Sequence, residues 1–200
     1  MKRLTIFLLF GAMILFTAPT QAQDVNAKLN EAESAYNGKN LDDARFALQG
    51  ALNEINMLIG QDILKMLPQK MSDMACNAKE DNVSGAAGFA GLSIIRTYGT
   101  EARTARIDIL GDSPMLASLN ALLAMPMIMG SDPNQKRIKV GDYKGLLQKE
   151  TSENVVTGYT VQLPVNSTLV TFKVEGSFSE NEVMSMAQTI PVAQIAKISQ

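Results

Sequence analysis

Three methionines alternate along Met125-Pro-Met127-Ile-Met129. In an extended segment side chains repeat with period two, so all three thioethers would lie on one face. Thioether sulfur is a soft ligand suited to Cu(I). Met125, Met127 and Met129 are therefore the candidate metal set, with Met71/Met74 and Met184/Met186 as further donors. Methionine is also an adaptable filler of apolar cores. No histidine or acidic residue interleaves the run, which favours packing over ligation.

Cys76 is the only cysteine and histidine is absent. An internal disulfide is impossible, and so are His/Cys zinc sites and the Ser-His-Asp and Cys-His arrangements. A reactive thiol needs a nearby cation or imidazole to depress its pKa. Lys79 is the only such neighbour in sequence, so Cys76 reads as inert. Asp108 and Asp112 flank Gly111, and Glu175, Glu180 and Glu182 gather at another strand end. Paired carboxyl groups at a set separation can cleave glycosides. Turns and helix N-termini attract acids for electrostatic reasons, and a chain without Trp lacks the usual aromatic sugar platform. The run Gly85-Ala-Ala-Gly-Phe-Ala-Gly91 precedes a strand and is not followed by Lys-Ser/Thr, so it does not read as a phosphate loop. The sequence thus offers no catalytic residue and no cofactor site, and the chain reads as a non-enzyme. Affinity would rest on aromatic anchors, which dominate interface energetics: Tyr36, Phe46, Tyr98, Tyr143 and Tyr159.

The N-terminus bears on location. Lys2 and Arg3 precede an apolar run, Leu4 to Phe16, and a polar segment ending at the small residue Ala22. That is a secretory signal layout over residues 1–22, with an apolar run too short for a comfortable membrane span. No cysteine follows to carry a lipid anchor. The expected location is periplasmic or secreted. The 200 residues carry 18 basic and 20 acidic side chains, and loss of Lys2 and Arg3 leaves 16 against 20. A weakly acidic chain without a basic run argues against nucleic acid and anionic membranes as partners. An exported domain of this size with a single cysteine fits a bacterial protein better than a eukaryotic one.

The elements that must position these residues follow from spacing. Asp24 caps a helix to about Asn37, and Gly38 takes the C′ position. Asn40 caps a second helix that Pro68 ends, with Leu41, Ala44, Leu48, Ala51, Ile55 and Leu58 as a narrow seam. Gly50 and Gly60 weaken it locally. Residues 23–70 are thus an αα-hairpin, 71–88 an irregular connection, and 89–200 a sheet domain. Within that domain, strands are expected over Leu92–Tyr98 and Arg103–Leu110, then a helix with Ser113 as N-cap. Four meander strands follow, over Arg137–Val140, Tyr143–Lys149, Val155–Leu163 and Ser167–Glu175. Ser179 and Glu182 make a capping box for a closing helix, and Pro191 begins a last short turn or helix. Hairpin strands with interspersed helices give an α+β fold, an antiparallel sheet of about six strands flanked by helices.

Two resemblances follow. The residues AYNGKNLDDARFALQGALNEI resemble half of a tetratricopeptide repeat, although Lys39 stands where that family usually has glycine and one copy is too few for a repeat array. Residues 67–198 resemble small exported PsbP-like α+β domains. That likeness rests on Leu67-Pro68, Ile95-Arg96-x-Tyr98, Ile107-x-Ile109, Asp112-Ser-Pro, Val140-Gly-Asp-Tyr-Lys-Gly145 and the Ser-x-x-Glu helix. It implies a binding or assembly accessory, with no functional residue carried over. The expected partner is a protein or small ligand of the cell envelope, with self-association through the helical hairpin as a further expectation.

Overall fold

The computed structural model describes residues 21–85, 91–124, 133–153 and 155–198. Helices α1 (Gln21–Asn37) and α2 (Leu41–Met66) form the expected hairpin. Asn40 caps α2, its side chain accepting from the Asp43 amide. The left-handed residue in the connection is Lys39 (φ 60°), not Gly38. The Asn40 amide donates to the Ala35 carbonyl, which puts Lys39, one residue beyond the glycine, at the C′ position.

The predicted seam of α2 divides into two faces. Small residues Ala44, Ala47 and Ala51 are buried and meet Ala32 on α1, whereas Leu41, Leu48, Leu52 and Ile55 stay exposed. Only alanine-sized side chains let two helix backbones approach closely along their whole contact, and the leucines are left outside that contact. Further along, Ile63 and Leu67 enter the same core as the sheet.

The segment 71–88 is not the irregular connection expected from its sequence. It carries a miniature hairpin, β1 (Lys70–Met71) and β2 (Met74–Ala75), and an edge strand, β3 (Asn82–Gly85). Two-residue strands show no periodicity, and β3 has a half-buried pattern that polar Asn82 and Ser84 conceal. Then come β4 (Leu92–Thr100), β5 (Arg103–Gly111), α3 (Met115–Ala124), β6 (Gln135–Val140), β7 (Tyr143–Ser152), β8 (Val155–Val165), β9 (Thr168–Gly176), α4 (Glu180–Ala187) and α5 (Val192–Ile198). The main sheet is antiparallel with seven strands, in the order β3-β4-β5-β9-β8-β7-β6. The seventh strand, relative to the six expected, is β3.

The sheet obeys period two. Ile94, Ala105, Ile107, Ile109, Val161, Leu163, Val170, Phe172 and Val174 point to one face, where they pack with the end of α2, with β1–β2, and with α4 and α5. The expected capping box is present: the Ser179 hydroxyl accepts from the Glu182 amide and the Glu182 carboxylate accepts from the Ser179 amide. Those bonds, with the Arg103 charge as a lesser contribution, hold the Glu182 carboxyl below its ordinary range. On the opposite face, among the described residues, α3 provides cover through Leu119 on Leu146 and Leu169, and a groove opens over β4, β5 and β9. Among the described residues no helix is long and apolar enough to cross a membrane.

Candidate functional site

Two surfaces compete for a functional reading: the open face of the sheet and the free length of the helical hairpin.

Register brings the polar residues of the open face into rows. Thr97, Arg106, Lys173, Thr160 and Gln148 line up across β4, β5, β9, β8 and β7. Asp108 and Glu175 lie in the adjoining rows. A groove of about 1040 Å³ opens here, with Asn77, Glu80, Thr97, Arg106, Asp108 and Lys173 among its walls. Two ion pairs cross it, Arg106 with Asp108 and Lys173 with Glu175, whereas Glu80 accepts from a neutral hydroxyl and Glu101 also lines the groove. Arg106 donates to both Asp108 oxygens at 2.7–2.9 Å, and Lys173 donates to Glu175 at 2.6 Å with Glu150 at 3.8 Å. The Thr97 hydroxyl donates to Glu80, and Thr160 donates to Glu150. The hydrogen bond to Asp108 raises the pKa of Arg106, and the one to Glu175 raises that of Lys173. Both bonds favour the charged forms of Arg106 and Lys173. Asp112 and Glu175 share no site, and Glu180 and Glu182 serve Lys136, Arg103 and the α4 cap.

At the edge of the sheet the β2–β3 segment is stitched to β4. On the covered face Arg96 meets Asp81 with a bidentate pair, Nε to Oδ1 at 3.0 Å and Nη2 to Oδ2 at 2.6 Å, and its Nη1 donates to the Leu67 carbonyl. Both side chains are largely buried. Tyr98 donates to the Pro68 carbonyl at 2.8 Å, Asn77 bonds Thr97 and Gly99, and Cys76 bridges Tyr98. Cys76 itself faces Gln69 Oε1 at 3.2 Å. These bonds tie the β2–β3 segment to β4 and to the end of α2.

Burial pushes the Tyr98 phenol well above its ordinary value, against the opposing pull of the Arg96 guanidinium. A folded pKa above the unfolded one means that the contribution is complete below about pH 10, the unfolded value, and is lost as pH rises through the folded value. We expect stability to hold level up to that point and to fall beyond it. Tyr98→Phe should cost about 1 kcal/mol at neutral pH, because the Pro68 carbonyl loses its donor, and should flatten the alkaline decline. Urea midpoints between pH 8 and 11 measure both. Contributions from Lys173 and Arg106 persist in the variant, so the difference isolates Tyr98.

The five aromatic candidates separate cleanly. Tyr98 and Tyr159 belong to the core and present no docking surface; their alternation places them on the covered face. Tyr143 is half-buried against the same core. Tyr36 and Phe46 project from the hairpin with 66% and 70% of their surface exposed. Met125, Met127 and Met129 lie outside the described residues. Met71, Met74 and Met186 are buried in the core, with Met184 packed against it. Among the described residues no group of three or more Cys, Asp or Glu is placed to hold a metal ion.

The seam leucines of α2 lie beside those aromatics, apart from the alanines with which the sequence groups them. Leu29, Tyr36, Leu41, Leu48, Leu52 and Ile55 are all exposed. Gly50 of α2 lies against the Lys28 side chain of α1. In an antiparallel pair of right-handed helices that contact fixes the relative rotation. It turns Lys28 toward one edge of the hairpin and Leu29 and Tyr36 toward the other, which is the edge that Leu41, Leu48, Leu52 and Ile55 occupy. Two partial stripes thereby make one apolar face. The signal was present in the sequence as a Leu41-Leu48-Ile55 heptad, but it was merged with the alanines.

The fold and these surfaces define an α+β chain with a projecting helical hairpin. Comparison with protein-family models, with curated proteins and with solved structures finds no match.

Proposed function

We propose that this chain is an exported bacterial envelope protein that acts as a non-enzymatic interaction module, docking a protein through its helical hairpin. The observation that carries this reading is the apolar edge, six large side chains wide, on a part of the hairpin that the sheet does not cover. Exposed apolar surface in a contiguous patch of this kind marks interaction sites. The signal-like N-terminus and the resemblance to PsbP-like accessory domains agree with an accessory role outside the cytoplasm.

The test is site-specific photo-crosslinking in the living host. A benzophenone side chain at Leu52 should give a discrete protein adduct, and the same group at Lys173 on the open sheet face should give none. Adducts confined to Lys173, or none at Leu52, would refute the reading.

A further inference from the structure

Resting on the reading of the hairpin as a docking surface, we propose that its occupant is a second copy of this chain. The two hairpins would pack antiparallel across a two-fold axis to make a four-helix bundle. The first reason is period. Leu41, Arg45, Leu48, Leu52 and Ile55 step by 4, 3, 4 and 3, the spacing of a coiled-coil seam, whose knobs fit the holes of another helix rather than a sheet or a small ligand. The α1–α2 contact beneath that stripe is closed, with Ala32, Ala44 and Ala51 buried, so a partner meets the exposed ridge of leucines flanked by Leu29 and Tyr36. The same ridge on two copies can pack across a two-fold axis, as an isologous contact requires.

The second reason is area. From their fractional exposures, the six apolar side chains leave roughly 600 Å² on each copy, and flanking polar atoms bring this toward the ~800 Å² per partner of a standard interface. A smaller occupant would leave much of the edge wet. The third reason is charge. Arg45 stands within the stripe, its side chain 76% exposed and 3.6 Å from Asp42, which is 93% exposed. Parallel packing would set the two Arg45 side chains against each other. Antiparallel packing sends them to opposite ends of the overlap, where their stems can lie on the partner's leucines and their heads remain in water. The overlap is also sterically open. Contact between α2 and the sheet begins near Asn53, where Gly85 approaches, so the turns from Leu41 to about Leu52 project free over ~18 Å.

Sedimentation velocity on the full chain, expressed with its N-terminal segment intact, tests this over ~1 to ~200 µM. A dimer with a dissociation constant near ~10 µM is expected for an interface at the small end of the stable range. The double substitution Leu48→Glu/Leu52→Glu should raise that constant at least ~100-fold, as loss of two central apolar anchors does. Lys173→Glu should leave it unchanged. Amide exchange on the unaltered chain provides a readout that does not depend on the variant folding: residues 41–55 should gain protection as concentration rises. A chain that stays monomeric with no such protection, or a dimer indifferent to the double substitution, overturns the proposal. A monomer whose Leu52 photo-adduct contains another protein overturns only the second copy and leaves docking intact. A monomer with no adduct at Leu52 removes both.

Discussion

Replacing Arg96 with methionine should destabilise the fold by about 3–5 kcal/mol, the range found when one partner of a buried ion pair is removed. The guanidinium is 4% exposed and fills a position on the covered face of β4, between Ile94 and Tyr98, where an apolar residue would ordinarily sit. It is tolerated there because each of its arms is used. Two nitrogens hold Asp81 and the third holds the Leu67 carbonyl. The hydrogen bond to Asp81 is the largest influence on Arg96 and raises its pKa in spite of burial. Methionine replaces most of the volume but none of the donors. Asp81, whose side chain is 12% exposed, is then a nearly buried carboxylate facing an apolar group, and the Leu67 carbonyl loses a donor. The companion variant Arg96→Met/Asp81→Leu removes the stranded charge. It should recover most of the loss, leaving about 1–2 kcal/mol for the Leu67 carbonyl and imperfect packing. Urea denaturation of the four members of this cycle measures the coupling directly. A double variant no more stable than Arg96→Met would show that the pair has no such role.

This pair also explains where sequence reasoning stopped. Helices α1 and α2, β4 to β9 and the α4 capping box announce themselves because each has a period, a cap or a turn residue with a local cause. Ser179 and Glu182 need only three residues' separation to be recognised. The segment from Met71 to Gly85 has no such local cause. Its conformation is imposed by Arg96, Thr97 and Tyr98, which lie 15 or more positions from the residues they hold, Asp81, Glu80, Asn77 and Cys76. A charged residue in the apolar phase of a strand was visible in Ile94-Ile-Arg96-Thr-Tyr98, and it is the one local sign that a buried anchor stood there. Two of the aromatic candidates follow the same logic in reverse. Tyr98 and Tyr159 fall in the buried phase of β4 and β8, so parity alone placed them in the core. Tyr36 and Phe46 sit on helices whose buried stripe is narrow and made of alanine. For the docking face, the composition of the seam was legible but its division was not. A stripe with both Ala and Leu can bury either set, and the close approach of α1 selects the alanines.

The two glycines inside α2 should respond to alanine with opposite signs. Judged by helix propensity alone, each replacement would gain up to about 1 kcal/mol. At Gly50 that expectation should hold. A methyl group there would meet nothing closer than the Lys28 Cδ at 3.1 Å, the middle of a flexible and partly exposed side chain that can shift aside. Gly50→Ala should therefore stabilise by about 0.5–1 kcal/mol. At Gly60 the same methyl would stand 2.4 Å from Val83 Cγ1 and 2.7 Å from Leu92 Cδ1, with Ile94 close behind. Those side chains belong to β3 and β4 and rest directly on the helix. The missing Cβ is what allows α2 to lie that close to the sheet edge. Over-packing of this kind typically costs about 1–3 kcal/mol, more than the propensity gain. Gly60→Ala should lose about 1–2 kcal/mol net, and a larger residue should lose more. Thermal and urea midpoints of the two single variants decide the matter, because the sign of each is predicted. Adding Val83→Ala to Gly60→Ala should return part of the loss by opening the space that the new methyl requires. If Gly60→Ala instead stabilised as Gly50→Ala does, the close seating of α2 on β3 and β4 would be wrong, and with it the direction in which the hairpin's apolar edge faces.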